Sequence, residues 1–296
     1  MNEGMIAQLC AEVFSKEPRK VERCGVGTGN YVYVVDCAGE KYVFRCSKDN
    51  DYGETAGWLE RLAALDIPVP KVAGRGSFSG YAYLILSYIE GRDIGLVYRE
   101  LSDRQKREIA GQVVEIQEKA AKMETGAGPD WKWTDFIEEM LERAGGRIAA
   151  NGWFDVEKAD RLRGEMGRFS TYFAGIGPTA YLDDITTKNL LVHNGRLSGI
   201  IDIDWIGMGD RLTQPALTCM ALLNMECDTD YARYILEGMR PSEIQKKAFV
   251  FYMLMYCVDF MGERGTQFMD KTVEVNQEII DRLNGIYDRL WEELQR

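Results

Sequence analysis

The sequence predicts an α+β fold made of a small β-rich N-terminal lobe, residues 1–90, and a large helical C-terminal lobe, residues 91–296. Two observations lead to this prediction. Apolar and polar residues alternate in short runs through much of the first lobe, which is typical of strands, whereas the second lobe shows helical spacing. Within the helical part, the stretch 181–205 holds two β-like segments and four Asp residues, which marks it as a candidate site.

The N-terminal lobe reads as an amphipathic helix over 3–15 followed by the order β-β-α-β-β. Strand-like runs flank the short turn Ala38–Glu40 and predict a β-hairpin. The segment "GETAGWLERLAAL" has helical spacing, and the prolines of "IPVPKV" end that helix because proline has no N–H to continue it. The run "YAYLILSYI" predicts a strand, which places the junction of the lobes at Glu90–Ile94.

The C-terminal lobe opens with a predicted helix. Ser102 and Gln105 form a capping-box pattern, in which each side chain bonds the backbone N–H of the other residue. Further helices are expected around 134–149 and 155–174, and the pattern is helical again from Pro215 to the end. The only β-like part of this lobe is then the Asp-containing stretch.

Composition restricts the partners and the compartment. The formal net charge of −11 argues against nucleic acid or an anionic membrane surface as a partner and is compatible with a cationic ligand. Seven Cys without a C-x-x-C pair, and a single His, argue against a zinc site and favour a reducing compartment. There is no basic signal sequence, and the longest apolar run, 248–258, is too short to span a bilayer. We therefore expect a cytoplasmic protein.

The motif "GVGTGN" lies between two strand-like segments and contains Gly27, Thr28 and Gly29. A glycine-rich turn of this kind lets backbone N–H groups approach phosphate oxygens closely. The same composition also suits an ordinary hairpin turn.

Arg45 lies in "YVFRC" with apolar residues on both sides, so a buried guanidinium there needs an anionic partner. A phosphate would serve, as would a carboxylate from the next predicted helix, where Glu54 and Glu60 are available. A strand-edge Arg that reaches solvent is the alternative.

The strongest pattern lies in 181–205. Asn189 follows Asp184 by five residues, and Asp202 follows Asn189 by thirteen, at the end of "LSGIID". In phosphoryl transfer one Asp accepts the proton of the attacking hydroxyl, while an Asn and a second Asp hold the metal ions that neutralise the nucleotide phosphates. The alternative is a turn with Asx caps, for which "DD" and "HNG" are suitable. Together with a β-rich lobe in front, the spacing favours a kinase arrangement.

Over about residues 15–260 the chain resembles the aminoglycoside phosphotransferase and choline kinase-like family, which is similar to protein kinases. The motifs that carry the resemblance are "GVGTGN", "YVFRC", "GETAGWLERLAALDIPVPKV", "YLILSYIEGRDI", "YLDDITTKNLLV" and "LSGIIDIDWIGMGD". The resemblance implies a bilobal protein-kinase-like fold whose N-terminal lobe binds nucleotide. It also implies ATP or GTP as co-substrate, Mg²⁺ as cofactor and a small-molecule acceptor.

The resemblance also assigns roles by position. Asp184 falls on the catalytic Asp, and Asn189 and Asp202 fall on the metal ligands. Arg45 falls on the strand cation that contacts the nucleotide phosphates, braced by Glu54 of the following helix. The nucleotide-binding set is Gly27, Thr28, Gly29, Arg45, Glu54 and the hinge residues Ser87 and Ile89, and the residues expected near the acceptor are Asp183, Asp204, Glu226 and Asp228.

Three positions depart from the family pattern and place the chain in an atypical branch. Leu182 stands where the family has His, Asp183 where it has Gly, and Gln214 where it usually has Asp. A second carboxylate at Asp183 would raise the pKa of Asp184 by like-charge repulsion or bind a cationic acceptor.

The resulting interpretation is a small-molecule kinase that transfers the γ-phosphate of ATP or GTP to a hydroxyl group, the acceptor being an aminoglycoside, another antibiotic or a different small alcohol. The alternative is a catalytically weak or inactive phosphotransferase-like protein that binds nucleotide or ligand. A protein kinase is disfavoured, because "DIDWIGMGD" leads almost directly to Pro215 with no room for an activation loop.

Overall fold

In a computed structural model the chain separates into two compact units. The structure describes residues 1–24, 30–37, 39–268 and 271–296. Unit 1 comprises Met1–Gly91, Leu191–His193 and Ser198–Trp205, and unit 2 comprises the remaining ranges 92–190, 194–197 and 206–296. The glycine-rich turn predicted at Gly27, Thr28 and Gly29 lies outside the described residues, so its assignment stays a prediction.

Unit 1 is built on a five-stranded antiparallel sheet, whose strands lie in the order Lys20–Arg23, Asn30–Cys37, Glu40–Ser47, Tyr81–Ser87 and Val72–Phe78. The predicted hairpin is confirmed, because Cys37 pairs with Glu40 at its end. The predicted order β-β-α-β-β counts two strands before the second helix, whereas the structure has three, because separate strands lie on either side of residues 25–29. The elements of residues 1–91 are α1 (Glu3–Phe14), β1 (Lys20–Arg23), β2 (Asn30–Cys37), β3 (Glu40–Ser47), α2 (Gly53–Ala64), β4 (Val72–Phe78) and β5 (Tyr81–Ser87).

Helix α1 packs on one face of this sheet. Successive strand residues point to opposite faces of the sheet, and helix residues three or four apart share a face. The apolar face of α1 therefore packs on the apolar face of the sheet, and the two form one core. That core contains Ile6, Leu9, Cys10, Tyr33, Val35, Cys37, Phe44, Cys46 and Ile85, each at most 1% exposed. Arg45, between Phe44 and Cys46 on β3, therefore points to the other face of the sheet.

Unit 2 is mainly helical, and the predicted α+β class, with a β-sheet N-terminal part and a helical C-terminal part, is confirmed. From residue 92 to the end the chain forms β6 (Arg92–Asp93), α3 (Ile94–Val97), α4 (Asp103–Ala120), α5 (Trp133–Asn151), α6 (Glu157–Glu165), α7 (Ser170–Ala174), β7 (Ala180–Tyr181), β8 (Leu190–His193), β9 (Arg196–Ile200), β10 (Gly207–Met208), α8 (Thr213–Asn224), α9 (Asp230–Gly238), α10 (Glu243–Glu263), β11 (Gln267–Phe268), β12 (Lys271–Thr272) and α11 (Gln277–Gln295).

Helix α10 forms the centre of unit 2. Every residue from Ala248 to Asp259 is buried, and the helix packs against α5, α8 and α11. It accounts for the long apolar run of the sequence, and no helix among the described residues is long and apolar enough to cross a membrane. The predicted capping box of Ser102 and Gln105 is confirmed at the start of α4.

Two sequence predictions for unit 2 were too simple. The helix expected at 155–174 is broken into α6 and α7 by a 3₁₀ turn at Met166–Phe169. That turn contains Gly167, and glycine is a poor helix former because it has more backbone freedom to lose. The Asp-containing stretch is also not the only β structure after residue 91, since β6 and β10 to β12 are short strands.

Candidate active site

The irregular segment between β7 and β8 carries Asp184, and Asn189 at its end orients that carboxylate. The side-chain Nδ2 of Asn189 donates to Asp184 Oδ2 at 2.9 Å and to the Asp184 carbonyl at 3.2 Å. Asn189 has φ of 64°, in the left-handed region that Asn tolerates better than most residues. The five-residue spacing thus closes a small ring in which the exposed Asp184 carboxylate has a fixed direction.

Two buried glutamine side chains hold the main chain on either side of Asp184. Gln117 of α4 donates from Nε2 to the Leu182 carbonyl at 2.7 Å and accepts at Oε1 from the Leu182 N–H at 2.9 Å. Gln214 of α8 donates from Nε2 to the Ile185 carbonyl at 2.7 Å. Both glutamines are at most 4% exposed. The family pattern has charged or ionisable side chains at 182 and 214, whereas here neutral amides hold the loop.

The end of the same segment is fixed by residues that follow β5. Asp93 accepts from the Asn189 N–H at 2.9 Å, and the Gly95 N–H donates to the Thr187 carbonyl at 2.9 Å. A Cβ at Gly95 would lie 2.7 Å from that carbonyl oxygen, so only glycine permits this approach. The segment 182–189 is therefore held by hydrogen bonds at four of its residues.

Asp183 is half-buried beside Asp184. Burial, reinforced by the negative charge of Asp184, raises the pKa of Asp183 to about 6. The sequence predicts that this second carboxylate either acts on Asp184 by like-charge repulsion or binds a cationic acceptor. Desolvation of Asp183 itself is the larger cause, and the charge of Asp184 is the smaller one.

In unit 1, Arg45 is paired with the carboxylates that follow β9. Its guanidinium donates from both terminal nitrogens to Asp204, at 2.8 and 2.7 Å, and Nη1 lies 3.5 Å from Asp202. Arg45 is 7% exposed. Burial alone would lower the pKa of Arg45, but the hydrogen bonds and charges of Asp204 and Asp202 outweigh it and raise that pKa. This two-pronged geometry is the strong form of an Arg–carboxylate contact.

The predicted brace of Arg45 by Glu54 is wrong. Helix α2 turns by about 100° per residue, and it directs Thr55, not Glu54, to the interior. Thr55 Oγ1 donates to Asp204 at 3.1 Å, whereas Glu54 is exposed. Tyr52, fully buried, places its ring 5.4 Å from the Arg45 guanidinium. Asp204, which the sequence analysis placed near the acceptor, is thus the partner that Arg45 requires.

The predicted hinge residues differ in what they offer. The Ser87 N–H donates to the Lys71 carbonyl at 2.8 Å and the Ser87 hydroxyl accepts from the Lys71 N–H at 2.9 Å, so both groups join β5 to the chain before β4. Within the described ranges the Ile89 N–H donates to no protein acceptor. Of the two, the main chain at Ile89 has the donor that a nucleobase could accept from.

The acidic residues between α8 and α9 form ion pairs inside unit 2. Asp228 accepts from the buried Lys106 ammonium at 3.0 and 2.8 Å and from the Tyr98 hydroxyl at 2.8 Å. Although partial burial opposes it, these hydrogen bonds lower the pKa of Asp228. Glu226 pairs with Arg282 at 2.9 Å. Two of the carboxylates predicted to meet the acceptor are thus already neutralised by cations of their own unit.

The sequence matches the family model described as "Phosphotransferase enzyme family" over residues 20–242, more than half of the chain. The protein belongs to this family. The resemblance inferred from the motifs is thereby confirmed, and membership supports a kinase-type enzyme. Among curated proteins no significant match to this phosphotransferase was found.

Solved structures of similar fold include several aminoglycoside phosphotransferases. A thermostable mutant of APH(4)-Ia, in a ternary complex with AMP-PNP and hygromycin B, has a TM-score of 0.64 at 17% identity, over 98% of this chain and 96% of that chain. The streptomycin–ATP–APH(2″)-IIa ternary complex has 0.64 at 15%, over 99% and 97%. A putative fructosamine-3-kinase from Haemophilus somnus 129PT has 0.61 at 14%, over 97% of both chains. At these identities the likeness establishes the fold.

Sequence reasoning missed the main-chain supports of the loop: Gln117, Gly95 and Asp93. One signal was available for Gln117. It falls on the apolar face of α4, with Val113, Ile116 and Ala120, where a buried amide needs hydrogen-bond partners. Nothing in the local pattern indicates that those partners would be the peptide of Leu182.

Proposed function

We propose that this phosphotransferase is a small-molecule kinase that transfers the terminal phosphoryl group of ATP, or GTP, to a hydroxyl group of a small acceptor. The observation that carries the proposal is the fixed pair of Asp184 and Asn189 on a loop anchored by hydrogen bonds at four residues. An exposed carboxylate held in one direction suits a general base for an attacking hydroxyl. Asp184 then accepts the proton as the hydroxyl oxygen bonds to phosphorus and the nucleoside diphosphate leaves.

The nucleotide is proposed to be held by unit 1. The Ile89 N–H is the proposed donor to the base. Arg45 uses two of its five N–H donors on Asp204, which leaves others for phosphate oxygens. The glycine-rich turn at Gly27–Gly29 is proposed to contact the phosphates through its backbone. Glu54 does not brace Arg45, so its remaining proposed role is a position near the nucleotide.

Mg²⁺ suits the proposed ligands Asn189 and Asp202, because hard oxygen donors completed by nucleotide phosphates are what this ion prefers. Both residues lie in the left-handed region, with φ of 64° and 59°, as functional residues often do. The Asn189 amide donates from Nδ2 to Asp184, so its Oδ1 remains the end that can bind a cation. The ion would neutralise charge on the phosphates. We expect Asp202→Ala to weaken the Mg²⁺ dependence of nucleotide binding, and equal dependence in variant and wild type would rule the ligand out.

The acceptor is proposed to be a hydroxylated small molecule. The ion pairs of the candidate acceptor carboxylates limit how much positive charge it can carry. Asp204, Glu226 and Asp228 are paired with Arg45, Arg282 and Lys106. Asp183 remains a candidate carboxylate for an acceptor cation, and its pKa of about 6 leaves it ionised at neutral pH. An acceptor with one or two positive charges fits these carboxylates better than a highly charged one.

The test is a panel of hydroxyl compounds, from neutral sugars and macrolides to choline and aminoglycosides, incubated with MgATP or MgGTP. ADP or GDP release and the mass of the acceptor are followed together. Acceptor-dependent release with a phosphorylated product supports the proposal, and Asp184→Asn serves as the blank. Nucleotide binding without release for every compound would instead favour the second candidate.

That second candidate is a nucleotide- or ligand-binding protein with weak or no turnover. One observation favours it: the guanidinium of Arg45 is committed to Asp204 through both terminal nitrogens. The same panel separates the two functions, because a binding protein retains nucleotide affinity but forms no phosphate ester.

A further inference from the structure

The peptide of Leu182 lies two residues before Asp184 and is bonded in both directions by one side chain. The Gln117 amide donates from Nε2 to the Leu182 carbonyl at 2.7 Å and accepts at Oε1 from the Leu182 N–H at 2.9 Å. Gln117 is 4% exposed and Leu182 is 1% exposed. No water competes for buried groups of this kind, so loss of one partner leaves the other unsatisfied.

These two hydrogen bonds hold the start of the loop, as a polar side chain at position 182 could otherwise do. The side chain of Leu182 is apolar and has no hydrogen-bonding group, so the loop is supported there through its main chain alone. The support comes from α4, an 18-residue helix that packs on α9. A rigid helix therefore fixes the start of the short segment that presents Asp184, much as a β-ladder bond fixes a neighbouring strand.

We infer that Gln117 is a positioning residue, whose neutral amide aligns the Asp184 loop and keeps that alignment unchanged across the pH range in which a histidine would titrate. The kinetic part of this inference rests on the proposed function, but the alignment of the loop does not. An amide has no proton to gain or lose between pH 5 and 9. Catalytic alignment is demanding, since a displacement of about 1 Å can cost on the order of 10²-fold in rate.

The first experiment needs no activity. Hydrogen–deuterium exchange is measured for peptides that cover 180–190, in wild type, Gln117→Leu and the control Gln112→Leu. Gln112 lies on the same helix but is exposed. We expect exchange at the Leu182 amide to rise about tenfold in Gln117→Leu, as the bond that protects it is lost, and to stay unchanged in the control. Unchanged protection in Gln117→Leu would overturn the inference.

The second experiment uses Gln117→Glu, which keeps the size of the side chain. A protonated carboxyl accepts from the Leu182 N–H and donates to its carbonyl, as the amide does, whereas a carboxylate cannot donate. We therefore expect the ratio of the variant kcat to the wild-type kcat to be near one at low pH. The ratio should fall about 10- to 100-fold as the introduced group ionises, with the nucleotide KM unchanged.

A purely structural role predicts a different result. In that case the apparent kcat would fall in proportion to the folded fraction, measured by circular dichroism at each pH, and the kcat per folded molecule of Gln117→Glu would equal that of wild type. If Gln117→Leu fails to fold, the pH series of Gln117→Glu decides the question. If wild type phosphorylates no acceptor, the proposed function fails and the exchange experiment still decides the role of Gln117.

Discussion

Two regions present carboxylates in opposite ways: the Asp184 loop of unit 2, residues 182–189, and the Arg45 cluster of unit 1, formed by Arg45, Asp202 and Asp204. The main chain of the loop is held by three neutral groups, the amides of Gln117 and Gln214 and the backbone of Gly95, and at its end by the Asp93 carboxylate. The Arg45 cluster is fixed by charge, with the guanidinium bonded twice to Asp204 and close to Asp202. The supports of the loop act on the main chain around Asp184, whereas the charge of Asp204 is compensated directly by the guanidinium of Arg45.

The comparison predicts different consequences for loss of a carboxylate in the two regions. In the loop, loss of Asp184 should affect rate and leave folding almost intact, because that side chain is exposed. In the cluster, loss of Asp204 should affect folding first, because a buried cation would lose its counter-ion. The substitutions below test each side of this contrast.

The largest expected effect is that of Asp184→Asn on turnover. General-base help of this kind is typically worth about 10²–10⁴ in rate, or roughly 3–5 kcal/mol at ~1.4 kcal/mol per tenfold. We expect kcat to fall by that factor while nucleotide affinity, measured by titration, stays nearly unchanged. Full activity in a folded Asp184→Asn protein would show that the loop is not the centre of the reaction.

The next effect is that of Asp204→Asn on the stability of unit 1. Hydrogen bonds to charged groups contribute about 1.5–3 kcal/mol each, and the partly exposed position of Asp204 moderates the loss. We expect the free energy of unfolding, from denaturant titration, to fall by about 2–3 kcal/mol. Glu54→Gln on the exposed face of α2 is the matched control and should change it by less than about 0.5 kcal/mol. A larger loss of unfolding free energy for Glu54→Gln than for Asp204→Asn would show that Glu54 braces Arg45, contrary to the geometry.

A smaller effect concerns the pH dependence of stability. The folded pKa of Asp183 is about 6, above the ordinary value of 3.8, so the folded state binds this proton more tightly than the unfolded state. The stability that Asp183 provides is therefore complete at low pH and lost as pH rises through about 6. Asp183→Asn should match wild type near pH 4 and exceed it by about 1–2 kcal/mol above pH 7. The exposed Asp130→Asn is the control and should show no such divergence.

Much of the fold follows from patterns that act locally. The alternation in β2 and β3, the capping box at Ser102 and the apolar run of α10 each fix an element with few competitors, and all three were predicted. The break between α6 and α7 was not, because a 3₁₀ turn and a continuous helix share nearly the same apolar spacing. Strands of two residues, such as β6 and β10, carry too few side chains to show a period.

Site residues whose spacing follows from the chemistry could be predicted, whereas hydrogen-bond partners that depend on tertiary packing could not. The five-residue separation of Asp184 and Asn189 allows their observed hydrogen bond, and the sequence indicated the pair. The partner of Arg45 was misassigned because a carboxylate 159 residues away satisfies a guanidinium as well as one nearby on α2. No local pattern distinguishes the two, and only the orientation of α2 decides.

The measurement that tests the account most directly is the kcat of Asp183→Asn, taken beside that of Asp184→Asn with the same acceptor. The two residues are adjacent carboxylates, and the one whose side chain accepts from the Asn189 amide, at 2.9 Å, is Asp184. We predict that Asp183→Asn keeps kcat within about threefold of wild type and acts mainly on the acceptor KM. If Asp183→Asn proves inactive while Asp184→Asn keeps most of its activity, the base has been assigned one residue too late and the account is contradicted.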